Sequence, residues 1–464
     1  MTALVWFRSD LRVDDNTALH NALSEHQRVA AVFYATPQQW HEHTMAPVKA
    51  EFLWRSLSDL RDSLARIHVP LHVRVVPRFD DIARDLAALC DQLQCEALFA
   101  NREYAINEMR RDAVIEKIMH DRDIAWHCYD DAVLLPPHAV RTQQGQPFKV
   151  FTPFKRALLD RIGDSVLHCL SNKKKAQPWF DAPPLPAYPY ESSNVPAEYW
   201  PAGEKAARKK LKNFIEHAID NYKTLRDIPA EDATSRLSPY LSLGVISIRR
   251  CVEAALTVNA GQWQDGSEGV TTWLNELIWR EFYLHVLAQF PRVSMNRPLR
   301  VETERVRWRD DERDFTAWSE ARTGYPLVDA AMRQLVQTGW MHNRLRMVCA
   351  MFLSKYLLID WRRGEAFFMR HLIDGDLAAN NGGWQWSAST GTDAAPYFRL
   401  LSPLRQMERF DADARFCKQF LPELAALNAK ILLQPGHPAL LQAGYPPPLV
   451  DLKFARERTL QAWK

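Results

Sequence analysis

The sequence predicts an α/β N-terminal domain, built on a doubly wound parallel sheet, followed by an all-α domain. Three observations predict this. Short apolar runs alternate with helical periodicity over the first 130 residues. Apolar residues then recur at three-and-four spacing from residue 205 to the end, with no clear strands. A stretch broken by prolines, 131–204, separates the two.

In order, residues 2–7, 29–35, 70–76, 96–100 and 124–129 read as strands, with helical patterns such as 48–67 and 80–93 between them. Such alternation implies a parallel sheet with helices on both faces. The Gly-x-Gly-x-x-Gly fingerprint is missing, which argues against a nicotinamide dinucleotide site. Another ligand can still sit at the strand C-terminal edge. His43, Asn107 and Glu108 fall in or beside such loops; taken alone they read as ordinary surface-loop residues. In 131–204, Pro136, Pro137, Pro178, Pro183, Pro184, Pro186 and Pro189 predict a connector wrapped on the surface. Lys173-Lys-Lys175 within it reads as a solvated turn. Helical patterns follow at 206–220, 247–256, 273–288, 325–338 and 343–358, ending at 450–463. Packing of their apolar faces is expected to stabilise this region of roughly 250 residues.

Composition narrows the classes. At 464 residues the chain holds two or three domains, and 47% hydrophobic content supports large cores. No apolar run approaches the roughly 20 residues of a membrane span. The start, Leu4-Val-Trp-Phe7, has no basic-then-apolar leader, which favours a cytoplasmic protein. Seven scattered cysteines show no C-x-x-C spacing, which points to reduced thiols and no metal site. With a net charge of only +3, a nucleic-acid partner needs a local basic face.

The least average stretch is Asp374-Gly-Asp-Leu-Ala-Ala-Asn-Asn-Gly-Gly-Trp-Gln-Trp386. Glycine admits close backbone approach, the asparagine amides offer uncharged donors and acceptors, and the tryptophans bring flat faces. Residue by residue this suits a loop between helices; as a run it suits a planar, polar-edged cofactor. Thr234-Ser-Arg-Leu-Ser238 offers hydroxyls and an arginine in a compact turn that opens a helix beyond Pro239. Such a turn fits either a pyrophosphate or an ordinary helix cap.

The run 374–386, with Ser389-Thr-Gly-Thr-Asp-Ala-Ala-Pro-Tyr-Phe-Arg399, resembles the flavin-binding core of the DNA photolyase/cryptochrome family. Trp273-Leu-Asn-Glu-Leu-Ile-Trp-Arg-Glu-Phe-Tyr283, Gly339-Trp-Met-His-Asn-Arg-Leu-Arg-Met347, 234–238 and Val5-Trp-Phe-Arg-Ser-Asp-Leu-Arg12 resemble further signatures. The likeness runs nearly end to end and is nearest to the bacterial class I enzymes acting on cyclobutane pyrimidine dimers. It implies FAD in its reduced form, FADH⁻, and a folate antenna, 5,10-methenyltetrahydrofolate.

The resemblance implies roles for particular residues. Tyr222, Thr234, Ser235, Arg236, Leu237 and Ser238 would hold the phosphate and adenosine side of FAD, with Trp273 and Glu276 continuing the wall. Asp374, Gly375 and Asp376 would address the ribityl chain and ring edge, Arg346 would pair with Asp374, and Asn343 would also face the cofactor. Asn380 would sit at flavin N5, where an amide stabilises an anionic reduced ring without supplying an acidic proton. Trp384, Trp361 and Trp308 match the family's electron chain from flavin to surface. His43, Asn107 and Glu108 match antenna positions, although Ser294 and Met295 replace an expected cysteine–lysine pair.

On the DNA side, Trp279 and Trp386 match the apolar walls around a flipped-out dimer, and Glu276 and Asn343 match groups at its base edges. Tyr283 and Met347 belong to the same lesion set. Lys155, Arg226, Arg280, Arg344, Arg399 and Gln406 match phosphate and backbone contacts. The implied reaction is electron donation from excited FADH⁻ to the dimer, splitting of both cyclobutane bonds and return of the electron, in a monomer with no obligate protein partner. The alternatives are a (6-4) photolyase, disfavoured because Asn343 and Met347 stand where histidines are expected, and a cryptochrome photosensor, disfavoured because no long extension follows Lys464.

Overall fold

The computed structural model describes residues 2–163, 168–172 and 174–463. Lys173 of the predicted basic turn lies outside the described residues. The chain opens with β1 (Thr2–Phe7), α1 (Thr17–Glu25), β2 (Arg28–Ala35), α2 (Pro37–Glu42) and α3 (Pro47–Ala65). Next come β3 (Leu71–Val75), α4 (Phe79–Leu93), β4 (Cys95–Asn101), α5 (Ile106–His120) and β5 (Ala125–Tyr129). The helices continue with α6 (Phe151–Leu159), α7 (Glu204–His217), α8 (Tyr222–Leu225), α9 (Ser238–Ser242), α10 (Ile248–Val258) and α11 (Glu268–Gln289). They go on through α12 (Pro291–Ser294), α13 (Glu312–Ser319), α14 (Pro326–Thr338), α15 (Asn343–Met351), α16 (Trp361–Met369) and α17 (Leu377–Ser387). The last are α18 (Pro403–Phe410), α19 (Arg415–Phe420), α20 (Ala429–Leu432), α21 (Pro438–Gln442) and α22 (Leu452–Ala462).

All five predicted strands form, within a residue of their expected ends, as a parallel sheet of order β3-β2-β1-β4-β5. Strand β1 (TALVWF) is buried along its whole length, as a central strand covered on both faces must be. Trp6, Val32, Leu86 and Leu98 meet in one of the cores that cover it.

By packing, the chain forms two compact units, one of residues 1–220 with 235–291 and one of residues 221–234 with 292–464. Helices α9 to α11 therefore pack with the sheet's unit, although their sequence pattern is that of the later helices. In that first unit the proline-rich connector is not uniformly superficial. Val133, Leu134 and Val140 are buried. Helix α11 holds the adjoining backbone: Glu281 accepts from the amides of Leu134 and Leu135, and Arg280 Nη1 donates to the Ala132 carbonyl at 2.7 Å. Gln289 Nε2 donates to the Pro137 carbonyl, also at 2.7 Å.

In the second unit Trp318, Phe352, Trp361 and Phe368 lie in one core. Periodicity predicts an unbroken helix over 343–358; the chain instead forms α15 and then a π-helical turn, Phe352–Tyr356. Helix α22 stabilises that wider turn, because the Thr459 hydroxyl donates to the Lys355 carbonyl and Arg458 Nη2 to the Tyr356 carbonyl. The glycine-containing run 377–387 is helical, with Asp376 as its N-cap accepting from the Ala379 amide at 2.9 Å. Its neighbour α16 approaches so closely at Gly364 that an added Cβ would lie 2.1 Å from the Trp384 ring. Among the described residues no helix is long and apolar enough to cross a membrane.

Candidate functional site

The second unit carries the run that sequence singles out. Asp374 precedes α17 with its side chain only 3% exposed, and Arg346 Nη2 meets its two carboxylate oxygens at 3.1 and 2.8 Å. The carboxylate is buried and its arginine half-buried, so this is not an ordinary surface ion pair. The Arg346 Nε also donates to the Met341 carbonyl at 2.8 Å, which fixes the guanidinium plane. A Cβ at Gly375 would meet the Leu372 carbonyl at 3.1 Å. Asn380 is buried on α17 and donates from Nδ2 to the Glu365 carbonyl at 3.1 Å. Asn381 donates to the Glu365 carboxylate, and burial pushes that carboxyl up to about 7.

Trp384 and Trp361 are buried, whereas Trp308 is half-buried against the same core. Backbone pairing of Arg309 with Ile359 sets the segment carrying Trp308 beside the one leading to Trp361. Around Trp384 stand two rings that sequence reading missed, Phe368 at 4.9 Å and Trp318 at 6.1 Å between centroids. Neither lies in a quoted motif; the 16 tryptophans of the chain are the only sequence signal for Trp318. Among the described residues the buried Trp384 Nε1 has no hydrogen-bond partner.

The predicted phosphate contacts of this unit are organised before any DNA is present. Arg344 bonds Gln406 Oε1 at 3.0 Å and Asp227 at 2.6 Å, and lies 3.8 Å from the Phe410 ring centre. Arg226 lies over Tyr222 at 5.4 Å. Arg399 and Asn343 are exposed, Trp386, Met347 and Thr234 half-buried. His342, next to Asn343, caps α15 by accepting from the Arg344 amide at Nδ1. Burial pushes it down to about 4, so it is neutral at physiological pH.

The first unit carries the rest. Ser235, Arg236 and Leu237 lead into α9, which starts at Ser238 and so includes Pro239 instead of beginning beyond it, and Arg236 adopts a left-handed φ of 47°. Trp273, Glu276, Trp279, Arg280 and Tyr283 all lie on α11. Trp273 is buried against Phe214 at 5.0 Å. Trp279 is half-buried and stacks on Phe151, with Tyr283 tilted against it at 5.7 Å. Lys155 is on α6, and partial burial lowers its pKa.

At the C-terminal edge of the sheet, His43 follows α2 and Asn107 and Glu108 begin α5. Asn107 Nδ2 and Gln39 Nε2 lie 3.1 and 2.9 Å from His43 Nε2. Burial, reinforced by Glu103, pushes Glu108 up to about 7, and its Oε2 is buried without a partner.

The chemistry of these groups, unit by unit, suits FAD. Hydroxyls and an arginine in a strained turn match a pyrophosphate, a carboxylate held by Arg346 matches a polyhydroxyl chain, and a buried amide matches the edge of a flavin. The motif signatures and this donor chemistry together define a flavin-dependent photolyase-type protein. The family model for the FAD binding domain of DNA photolyase matches residues 273–464, and the DNA photolyase model matches residues 3–175. The chain belongs to the DNA photolyase/cryptochrome family. It is 44% identical to a deoxyribodipyrimidine photo-lyase of Vibrio cholerae, over 99% of each chain. Its fold matches a class III photolyase from Agrobacterium tumefaciens with a TM-score of 0.86 at 34% identity, covering 100% of this chain and 97% of that one. A cryptochrome of Synechocystis matches with a TM-score of 0.88 at 27% identity, over 99% of each chain.

Proposed function

We propose that this chain repairs cyclobutane pyrimidine dimers in DNA in a light-dependent reaction, with reduced FAD as its electron source. The observation that carries this reading is the full-length 44% identity to a deoxyribodipyrimidine photo-lyase. Tyr222, Thr234, Ser235, Arg236, Leu237 and Ser238 would hold the phosphates and adenosine; Trp273, Glu276, Asn343, Arg346, Asp374, Gly375, Asp376 and Asn380 would hold the remainder. When bound, reduced FAD supplies on excitation the one electron that opens the dimer, and the reaction has no net redox change.

The chain's own residues set the conditions. The Asn380 amide offers no acidic proton, so charge on a reduced ring is stabilised and not quenched. Arg346 neutralises Asp374, which keeps a buried carboxylate from repelling an anionic cofactor. Trp279 and Trp386 offer stacking faces, worth roughly 1–3 kcal/mol per base, which offsets the few kcal/mol of flipping the lesion out. Glu276 would relay a proton to the dimer, and Tyr283 and Met347 would belong to the same lesion set. Lys155, Arg226, Arg280, Arg344, Arg399 and Gln406 position the phosphates. Trp384, Trp361 and Trp308 would pass an electron inward from a reductant in solution to the cofactor. His342 is a neutral cap with its Nδ1 already engaged, which weighs against histidine acid catalysis of the (6-4) kind.

Functionally, 1–130 is the antenna domain, 131–204 the connector and 205–464 the FAD- and DNA-binding domain of a cytoplasmic monomer. His43, Asn107 and Glu108 would hold 5,10-methenyltetrahydrofolate, to which Glu108, whose ionisation burial opposes, and the Asn107–His43 pair offer polar edges. An absorption spectrum of the purified protein tests this: a near-ultraviolet folate band beside the flavin bands is expected, and flavin bands alone contradict it. For the electron route, Trp308→Phe should slow photoreduction roughly tenfold or more while leaving repair by already reduced enzyme intact. Photoreduction at the wild-type rate would remove Trp308 from the path.

A further inference from the structure

Helix α6 begins at Phe151, preceded by an extended Val150. The Phe151 ring lies flat on the indole of Trp279, with centroids 3.7 Å apart and planes 4° from parallel. Rings this close and this nearly parallel are in face-to-face contact, so Phe151 covers that face of the indole. Neighbouring side chains hold the stack. Phe282, fully buried, stands edge-on to both rings, at 5.9 Å from Phe151 and 5.8 Å from Trp279. Phe154, one turn along α6, packs on Phe282 at 5.1 Å and on His285 at 5.0 Å. Glu281, on the same helix as Trp279, binds the Leu134 and Leu135 amides and so fixes α11 against the chain that leads to α6. Phe151 itself is 9% exposed, whereas Trp279 is half-buried.

One face of the Trp279 indole is thus occupied and the ring is locked before any ligand arrives. We infer that Phe151 is a positioning residue for the lesion: it backs Trp279 so that only the opposite face can take a base, in a fixed plane. This rests on the reading of Trp279 as a wall of the dimer pocket. A free indole on a helix surface samples several rotamers, and freezing one on binding costs roughly 0.5–1.5 kcal/mol. With Phe151 in place that ordering is done during folding. A single available face also means that Trp279 stacks one pyrimidine ring and does not intercalate between two. Undamaged DNA, whose bases stay in the duplex, gains nothing from the arrangement.

The test uses the full-length, flavin-loaded protein in the dark, with a thymine-dimer oligonucleotide and its undamaged counterpart. Phe151→Leu keeps the apolar volume and removes the flat face. It should weaken dimer binding about 3- to 10-fold, leaving undamaged DNA and flavin content unchanged. Phe151→Tyr restores the ring and should restore affinity; Phe151→Met is the substitute if the leucine variant does not fold. Trp279→Leu should cost less in the Phe151→Leu background than alone. Wild-type dimer affinity in Phe151→Leu, equal losses on both DNAs, or strict additivity would each overturn the inference. If Trp279→Leu alone leaves dimer affinity intact, the pocket assignment fails instead.

Discussion

The two compact units differ in how many of their buried charges meet another ion. In the first, several ions are set against ions, although Glu281 meets backbone amides and Asp10 meets Asn16 and Asn101. Arg12 and Arg249 both pair with Asp131, at 2.5 and 2.6 Å, and Arg249 also holds Asp15 at 2.9 Å. Burial opposes ionisation of Asp131, but the two guanidinium groups overcome it and hold the carboxyl below its usual range. In the second unit, buried charges mostly meet neutral partners. Asp329 accepts from Thr323, Gly324 and Tyr445, and burial still pushes it up. Glu365 meets Asn381. Lys355, wholly buried in the π-helical turn, donates to the carbonyls of Pro396 and Arg399, and burial pushes it down to about 7. Asp374, paired with Arg346, departs from that pattern, and it stands in the run proposed to face the flavin. The difference separates a unit tied together by buried ion pairs from one whose buried ionisable groups rest mostly on uncharged hydrogen-bond partners, the setting in which the proposed electron path would run.

The largest effect should come from breaking an ion pair of the first unit. Arg249→Met leaves Asp15 and Asp131 short of a cation and should cost about 3–5 kcal/mol, read as a lowered urea midpoint. A loss below about 1 kcal/mol, the range of a surface pair, would erase the contrast.

Glu365→Gln should sharpen the contrast through pH. The Glu365 carboxyl is raised from 4.5 to about 7 in the fold, so its contribution to stability is complete below pH 4.5 and is lost as pH rises through 7. The glutamine variant should be stabilised relative to wild type at pH 8 and little changed at pH 4, with a flatter melting temperature between them. Equal shifts at both pH values would show that the fold does not raise the Glu365 carboxyl. The smallest effect belongs to Asp376→Ala, which removes the α17 cap and should cost about 1 kcal/mol in thermal melts.

Much of this was legible in the sequence, for physical reasons that can be named. The central strands of the sheet are largely apolar runs, which have few other fates, and all five strands appear where expected. Asp374 and Arg346, 28 residues apart, were paired from motif likeness and do meet. The π-helical turn was not legible, because periodicity alone cannot show that α22 satisfies the Lys355 and Tyr356 carbonyls from about 100 residues away. Nor were the burial of Val133 and Val140, or the stack of Phe151 on Trp279, whose partners are set by long-range packing. Glu365 escaped notice because a glutamate on a helix reads as solvated until its burial is seen.

The most direct test of the functional account is blue illumination of the protein with its flavin reduced, in the presence of a thymine-dimer oligonucleotide. The account predicts loss of dimers in the light and none in the dark, with the flavin still reduced at the end. Flavin photochemistry with every dimer left intact would contradict it and favour a light sensor.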